Sequence, residues 1–303
     1  MEEIDRMFLN IVLRRNEAEV AYRVTDGQAA IIHLKRNTFN TLLVYNMLYM
    51  DMAKKNDNWW RDTFNEIYFS FWDPSYPKSQ SWTRRELKLI DSLNLKGNAK
   101  ILDIPCGQGR HSVELAKKGF QVTGVDYSSI ALKTAKKWAK ENKVSPIFIK
   151  QDMRSLKIKK RFDAIAMLGN SFGYFSDIDN KRVISNISRL LKPSGFFVIH
   201  QLNPIEILRQ FGNKGSFEIP GGCVKMEDIF FNPFNFVKES HWVVVRGNDK
   251  EILNVRLRVY TFPEISSLFF SHKLNIVKVY GSFDMRPYQF NSPAMIVIAK
   301  RMR

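Results

Sequence analysis

The sequence predicts an α/β protein built on a doubly wound, mostly parallel sheet. Between residues 83 and 205, short apolar segments alternate with amphipathic helical segments. This alternation is typical of parallel strands that are joined by right-handed helical crossovers. Over 206–262 the apolar segments follow one another without helices, which predicts an antiparallel lid or insertion. An aromatic-rich segment, 59–82, precedes the alternation and predicts an N-terminal helical arm.

The first helix of the alternating region is predicted over 83–93. Thr83 stands at the N-cap position and Glu86 follows three residues later, which is the spacing of a capping box. The apolar face of this helix is formed by Leu87, Ile90 and Leu93. We therefore expect this helix to lead into the sheet.

Strands and helices then follow in turn. The five strands of the alternating region are predicted at 99–104, 121–126, 146–152, 162–168 and 196–202. The helices between them are predicted at 110–119, after Ser128, and at 181–191. The lid strands are predicted at 222–231, 238–247 and 252–262, and a helix at 264–272 precedes a final antiparallel pair at 275–281 and 293–300. Ligands of such sheets bind at the carboxyl ends of the parallel strands.

The domain organisation is predicted to be unequal. Residues 1–58 form an N-terminal extension of unknown role with a turn at Asp26-Gly27, and 59–303 form the functional domain. The chain begins with acidic residues and has no apolar run near the roughly 20 residues of a membrane helix. We therefore expect a cytoplasmic protein without membrane partners.

The composition limits the partners and metals that the chain is expected to bind. The two cysteines, Cys106 and Cys223, are far apart, and the five histidines have no metal-ligand spacing, so no disulfide and no metal site is predicted. A formal net charge of +17 would attract nucleic acid. Many lysines, however, fall on predicted helix faces, as do Lys133, Lys136, Lys137 and Lys140. A solvated surface explains these lysines, so nucleic acid is an alternative partner that we do not favour.

The segment LDIPCGQGR, 102–110, lies between a predicted strand and a predicted helix. Gly107 and Gly109 let the backbone approach a ligand closely, and the following helix presents free N–H groups to an anion. The pyrophosphate of a dinucleotide is one such ligand, but its fingerprint has a third glycine where this chain has Ser112. An NAD-binding function is therefore disfavoured, although it stays an alternative.

Acidic residues stand at the ends of three predicted strands, and they are Asp103, Asp126 and Asp152. Asp126 lies 19 residues after Gly107. A carboxylate there can accept both hydroxyl hydrogens of a ribose, and a helix N-cap is its alternative role. Asp152 stands beside Met153, a pairing that suits an adenine amino group and ring face. Together the three acids predict a cofactor site at this edge of the sheet.

Residues from about 84 to 205 resemble the class I S-adenosylmethionine-dependent methyltransferases. The motifs that carry the resemblance are LDIPCGQG, VTGVD, QDM, FDAIAMLGNSFGYF and LLKPSGFFVI. With its NSFGYF loop and its carboxyl-terminal segment, the chain is also similar to a bacterial branch that acts on small molecules, and the resemblance then extends over about 60–303. It implies a Rossmann-like, seven-stranded sheet and S-adenosylmethionine as the cofactor.

The resemblance further implies which residues hold that cofactor. Asp103 and the backbone of 107–109 would hold the methionine part, and Asp126 would hold the ribose hydroxyls. The full set is Asp103, Pro105, Cys106, Gly107, Gly109, Asp126, Tyr127, Asp152, Met153, Leu168 and Gly169. The chain departs from the usual pattern at Pro105 and Ser194, and neither change removes a needed side chain.

Methyl transfer from a sulfonium is an in-line displacement that needs alignment and exclusion of water, but no protein nucleophile. An amine or hydroxyl acceptor can require a base. The candidate catalytic residues are His200 at the end of the fifth strand, Tyr174 in the NSFGYF loop, and His111 after the glycine loop. The alternative for His111 is that it caps or packs its helix.

The predicted function is methyl transfer from S-adenosylmethionine to a nitrogen or oxygen of a small molecule. The alternatives are an RNA methyltransferase, which the net charge favours, and a non-catalytic S-adenosylmethionine-binding regulatory protein. The chain lacks an Asn-Pro-Pro-Tyr motif after the fourth strand, which argues against amino-methylation of DNA bases. One further hypothesis is that Arg258 and Arg286, with Tyr260 and Tyr288, bind an acidic acceptor.

Overall fold

The computed structural model describes residues 9–14, 17–23, 29–35, 59–209, 215–219, 222–232, 234–246 and 248–303. The chain divides into two compact units, Met1–Asp57 and Asn58–Arg303. The turn predicted at Asp26-Gly27 lies outside the described residues. The assignment of 1–58 as an extension and 59–303 as the functional domain stays a prediction.

The first unit contains a three-stranded antiparallel sheet. Its strands are β1 (Leu9–Arg14), β2 (Glu17–Arg23) and β3 (Ala29–Lys35), in the order β1-β2-β3. Val20 on the central strand pairs with Ile11 on one side and Ile32 on the other. β-branched residues at facing positions favour such strands.

The second unit begins with an arm of three helices, α1 (Trp59–Thr63), α2 (Glu66–Ser70) and α3 (Pro77–Asp91). Asn65 caps α2 because its side chain accepts hydrogen bonds from the backbone of Ile67 and Tyr68. Pro77 occupies the first turn of α3, where its missing N–H is not needed. The helical arm predicted from the aromatic-rich segment is thus confirmed.

The predicted start of α3 at Thr83 is wrong, because the helix begins six residues earlier at Pro77. Thr83 lies inside the helix and its hydroxyl donates to the carbonyl of Ser79 at 2.8 Å. Glu86 is therefore not a capping residue, and its carboxylate meets partners outside the helix.

The parallel part of the main sheet follows the arm. Its strands are β4 (Lys100–Asp103), β5 (Gln121–Asp126), β6 (Ile147–Lys150), β7 (Phe162–Met167) and β8 (Leu191–Leu202), and its helices are α4 (Arg110–Lys117), α5 (Ser129–Glu141) and α6 (Asp177–Leu190). Three predicted boundaries are wrong. β6 ends two residues before Asp152, α6 begins at Asp177 because Ser176 caps it, and β8 begins before Gly195.

The antiparallel region predicted over 206–262 is a separate sheet, which we call the lid. Its first strand, Gly215–Ile219, was not predicted, and its last strand ends at Arg258 rather than at residue 262. After α7 (Pro204–Arg209) come β9 (Gly215–Ile219), β10 (Gly222–Asn232), β11 (Val237–Arg246) and β12 (Asp249–Arg258). They pair in the order β12-β11-β10-β9. Thr63 of the arm donates a hydrogen bond to the carbonyl of Asn254 on β12 at 2.5 Å, so the arm and the lid are in contact.

The chain ends with α8 (Phe262–Ser271), β13 (Leu274–Tyr280) and β14 (Ala294–Arg301). The seven strands of the main sheet have the order β13-β14-β8-β7-β4-β5-β6, in which β14 is antiparallel to both of its neighbours and the other pairs are parallel. The predicted α/β fold is confirmed. Side chains alternate between two apolar layers, so that Leu102 and Ile165 pack in one and Ile101 and Ala164 in the other. Within the described residues, no helix is long and apolar enough to cross a membrane.

Candidate active site

A cavity of about 380 Å³ lies at the carboxyl ends of the parallel strands. The lining includes residues that follow β4, β5, β6 and β7, together with side chains from the arm. The strand order reverses between β4 and β7, since β5 and β6 extend the sheet on one side and β7 and β8 on the other. Doubly wound sheets bind ligands at such a switch point.

The glycine loop after β4 has a backbone that only glycine adopts easily. Gly107 has a φ of +52°, and a Cβ added there would meet nothing within 4 Å. Gly109 has a φ of +79°, and a Cβ there would lie 2.9 Å from the Cβ of Ala135. The loop is anchored to the sheet because the backbone N–H of Cys106 donates to the carbonyl of Val125 at 2.8 Å. Gly107 therefore leaves space for a ligand, and Gly109 lets α4 and α5 approach.

We expect Gly109→Ala to lower the free energy of unfolding by about 2 kcal/mol, because the left-handed backbone and the contact with Ala135 both oppose a side chain. The matched control is Gly97→Ala, which has open space around its Cβ and should stay within about 0.5 kcal/mol of wild type. Urea unfolding measures both. Equal stabilities of the two variants would contradict this account of the loop.

Asp126 lies at the end of β5, and each of its two carboxylate oxygens accepts a hydrogen bond from a backbone N–H. Its Oδ2 accepts the N–H of Gly107 and its Oδ1 accepts the N–H of Ser128, each at 2.8 Å. Burial raises the pKa of Asp126 to about 6, against the lowering effect of the N–H groups of Ser128 and Gly107. Because each oxygen accepts only one of these bonds, the carboxylate retains capacity for two hydroxyl donors.

Asp103, at the end of β4, is almost fully buried. Its Oδ2 accepts a hydrogen bond from the hydroxyl of Ser112 at 2.6 Å, whereas its Oδ1 has no partner among the described residues. Burial raises the pKa of Asp103, although the charge of His111 and the bond from Ser112 oppose it. Ser112 occupies the position at which the dinucleotide fingerprint has glycine. Its hydroxyl holds the carboxylate of Asp103 and leaves one oxygen of that carboxylate without a partner among the described residues.

Gln108 is a member of the lining that the sequence did not single out. It is buried in the glycine loop, and its Oε1 has no hydrogen-bond partner in the described part of the chain. Unsatisfied buried acceptors at a cavity wall suit a ligand that brings N–H donors. The only sequence signal for Gln108 is its position between Gly107 and Gly109.

The acidic residue after β6 differs in its surroundings from the other two. The carboxylate of Asp152 accepts hydrogen bonds from Arg154 at 2.7–3.1 Å, and it does not line the cavity. Its neighbours Gln151 and Met153 do line it. Arg154 lies over the rings of Trp60 and Phe175, at 5.2 and 4.5 Å from their centroids.

The remaining predicted cofactor residues lie close together. Pro105, Cys106, Tyr127, Leu168 and Gly169 all line the cavity, whereas Asp103 and Gly109 stand behind its wall. The three candidate catalytic residues line the cavity as well.

His111 lies in the first turn of α4 and shares a buried carboxylate with its neighbour. Its Nε2 is 2.5 Å from Oε2 of Glu86, and the same oxygen accepts a hydrogen bond from Arg110. Arg110 also donates to the hydroxyl of Thr83 at 2.9 Å. Burial alone would raise the pKa of Glu86, but the charges and hydrogen bonds of His111 and Arg110 outweigh it and hold that pKa well below its usual range.

Glu86 is the site residue that the sequence misassigned, because its spacing from Thr83 imitates a capping box. It lines the cavity and ties the arm to the helix that follows the glycine loop.

His200 and Tyr174 are half-buried at the cavity, and the loss of surrounding water shifts their pKa values in opposite directions. Burial lowers the pKa of His200 to about 4, so its imidazole is neutral at neutral pH, and its Nδ1 has no partner among the described residues. The ring lies edge-on to Phe283 at 4.7 Å. Burial raises the pKa of Tyr174 to about 12, so its phenol keeps its proton and is not a base at neutral pH.

The hypothesis of an acidic acceptor bound by the lid is not supported. Arg258 pairs with Glu264 and lies over the ring of Tyr260 at 4.4 Å. The hydroxyl of Tyr260 donates to Asp177, and that of Tyr288 donates to Asn203. None of these side chains, nor Arg286, lines the cavity.

Comparison with known proteins agrees with this architecture. Residues 101–195 match the family model described as a methyltransferase domain. The chain is 33% identical over 142 residues to a glycine/sarcosine N-methyltransferase of Aphanothece halophytica, covering 46% of this chain and 54% of the relative. It is 26% identical over 204 residues to a cypemycin N-terminal methyltransferase of a Streptomyces species, covering 66% and 82%. The chain spans about half the length of the first curated relatives that it matches.

A solved structure extends the likeness to four-fifths of the chain. An S-adenosylmethionine-dependent methyltransferase from Clostridium acetobutylicum superposes with a TM-score of 0.65 and 20% identity, covering 80% of this chain and 99% of that one. The chain therefore has the fold of the class I S-adenosylmethionine-dependent methyltransferases. Within that fold, residues 101–195 match the model of a methyltransferase domain, and S-adenosylmethionine is the cofactor of this class. The resemblance seen in the sequence is confirmed at this level, and the branch with the NSFGYF loop stays a prediction.

Proposed function

We propose that the protein transfers the methyl group of S-adenosylmethionine to a nitrogen or oxygen of a small molecule. The observation that supports this most is Asp126, a buried carboxylate at the switch point with two oxygens available to ribose hydroxyls beside an open glycine backbone. The free Oε1 of Gln108 suits the ammonium group of the same cofactor. Asp103, which stands behind the cavity wall, is assigned to hold the start of α4 beside that group through its hydrogen bond with Ser112. When bound, S-adenosylmethionine supplies an electrophilic methyl group on a sulfonium.

The protein's part in the reaction is to align the acceptor, exclude water and manage one proton. We assign His200, with its neutral ring and unpartnered Nδ1, to accept a hydrogen bond from the acceptor. The proton that the acceptor loses passes along this hydrogen bond to His200. His111, whose Nε2 is paired with the carboxylate of Glu86, is assigned to position the first turn of α4 at the cavity. Tyr174 keeps its proton and serves as a hydrogen-bond donor. Asp152, engaged by Arg154, is assigned to orient the segment that contacts the adenine, while Met153 packs against the ring.

Nitrogen is the acceptor atom that we favour, within the small-molecule branch that the NSFGYF loop suggests. The glycine/sarcosine N-methyltransferase of Aphanothece halophytica, one of the two relatives named above, is an N-methyltransferase by name. The RNA alternative is less well supported, because Arg110, the one arginine or lysine of the lining among the residues that the structure describes, is paired with Glu86. An open cavity of about 380 Å³ also favours turnover over a purely regulatory role.

The test is calorimetric titration of S-adenosylhomocysteine, the product, between pH 5 and 8. Ribose hydroxyls donate to the ionised form of Asp126, whose pKa is about 6. We therefore expect the affinity to be constant above pH 6 and to fall by up to about tenfold per pH unit below it. Asp126→Asn is the control, since its weaker binding should not change over this range.

A wild-type affinity that does not change between pH 5 and 8 would remove Asp126 from the ribose site. Absence of S-adenosylhomocysteine binding, or binding of NAD in its place, would contradict the proposed function as a whole.

A further inference from the structure

We infer that the methyl acceptor is an uncharged, flat, apolar molecule, an aromatic compound that bears the nucleophilic nitrogen or oxygen. It would bind against the aromatic wall, which we define as the cavity-lining rings of the arm: Trp60, Phe64, Tyr68, Phe69, Trp72 and Trp82. The inference rests on the proposed function for the position of the methyl donor. It goes beyond that function by naming the acceptor's chemical class.

The aromatic wall and the cofactor residues come from different segments of the chain and differ in chemistry. The residues assigned to the cofactor follow β4, β5, β6 and β7, whereas the wall comes entirely from the arm. Its rings support one another, since the centroids of Phe64 and Tyr68 are 4.8 Å apart and those of Trp72 and Trp82 are 5.8 Å apart. Phe64 also contacts Tyr174 at 5.1 Å. Such a surface favours flat apolar ligands, which pair with aromatic rings.

The charges around the cavity do not favour an ionised acceptor. Arg110 is paired with Glu86, and the carboxylate of Asp126 is held by backbone N–H groups and assigned to the cofactor. In the described part of the chain, the lining therefore offers an acidic acceptor no unpaired arginine or lysine. Moving an unpaired charge out of water costs several kcal/mol, so a neutral acceptor is favoured.

Besides Gln108, which is assigned to the cofactor, three side chains of the cavity lining carry an unpartnered polar atom that can orient a neutral acceptor. Within the described residues, Nδ1 of His200 and the indole N–H donors of Trp60 and Trp72 are buried without hydrogen-bond partners. All three side chains line the cavity. A hydroxyl or amine on an aromatic ring can donate a hydrogen bond to Nδ1 of His200. A lone pair of that oxygen or nitrogen is then free to point toward the methyl donor.

The experiment uses the full chain saturated with S-adenosylhomocysteine and three probes of different chemistry. These are 2-naphthol, which is aromatic and neutral, 2-naphthoate, which is aromatic and anionic, and methyl glucoside, which is neutral and polar. We expect 2-naphthol to bind at least about tenfold more tightly than either of the others in calorimetric titrations.

The wall itself is tested with Trp82→Ala, because Trp82 is 37% exposed and we therefore expect its loss to leave the fold intact. The matched control is Trp138→Ala, a partly exposed tryptophan of α5 that also lies beside a lysine but does not line the cavity. We expect Trp82→Ala to weaken 2-naphthol binding about 3- to 10-fold and Trp138→Ala to leave it unchanged. Trp82→Phe, which keeps a ring, should restore most of the affinity.

The inference is overturned if 2-naphthoate or methyl glucoside binds as tightly as 2-naphthol, if 2-naphthol does not bind, or if both tryptophan variants weaken it equally. Failure of the proposed function is distinguishable, because S-adenosylhomocysteine itself would not bind in the preceding titration. The same three probes titrated into the free protein would then still decide which chemistry the aromatic wall accepts.

Discussion

Replacing Asp126 by Ala is expected to weaken S-adenosylmethionine binding by about 100-fold or more. The variant removes a carboxylate whose two oxygens are held 2.8 Å from the backbone N–H groups of Gly107 and Ser128. Two hydrogen bonds from ribose hydroxyls to a charged acceptor contribute about 1.5–3 kcal/mol each, so their joint loss corresponds to at least this change in Kd. Calorimetric titration at pH 7.5, where the carboxylate is ionised, measures it.

The control for this prediction is Asp91→Ala. Asp91 forms an exposed ion pair with Lys118 and does not line the cavity, so its removal should change the cofactor affinity by less than about twofold. If Asp126→Ala bound S-adenosylmethionine as tightly as Asp91→Ala does, the ribose site would lie elsewhere in the cavity.

The sequence predicted the fold because its signals are local and repeated. Each parallel strand is a short apolar run, and helix caps such as Ser128 and stops such as Gly119 lie beside the helices that they bound. The position of Asp126 followed from the same pattern, since a strand end and a glycine loop at fixed spacing bring it to the switch point.

The sequence could not predict where contacts in the folded chain would change the boundary of a helix or strand that a local pattern indicated. At Glu86 the capping-box spacing was present, but Pro77 started the helix earlier and left the carboxylate free for Arg110 and His111. The strand that was predicted to end at Asp152 ends two residues earlier, at Lys150, and the carboxylate of Asp152 accepts hydrogen bonds from Arg154. Both differences depend on partners that the fold brings together, which a strand or helix pattern does not encode.

The chemical class of the methyl acceptor could not be predicted from the sequence either. The net charge of +17 suggested an acidic partner, yet the lining of the cavity contains one arginine, which is paired, and no lysine among the described residues. Average charge describes the surface, whereas acceptor choice depends on the few side chains at the site. The sequence showed the residues of the aromatic wall as an aromatic-rich segment that predicts a helical arm, but it did not show which of their rings face the cavity.

Glu86→Gln is expected to lower the free energy of unfolding at pH 7 by about 3–5 kcal/mol, the usual cost of breaking a buried ion pair from one side. Arg110 and His111 would lose the charge of an acceptor that is only 6% exposed. The hydrogen bond from Arg110 to the hydroxyl of Thr83 would remain between the arm and the first turn of α4.

The pH dependence of this effect has a defined sign. The pKa of Glu86 is lower in the folded than in the unfolded chain, so its contribution is fully present above the unfolded value of about 4.3 and is lost as pH falls toward the folded value. The stability difference between wild type and Glu86→Gln should therefore shrink below about pH 4. Asp91→Asn, which breaks an exposed pair, should cost less than about 1 kcal/mol at pH 7. A Glu86→Gln variant as stable as Asp91→Asn would mean that the arm is held at the cavity by its aromatic packing alone.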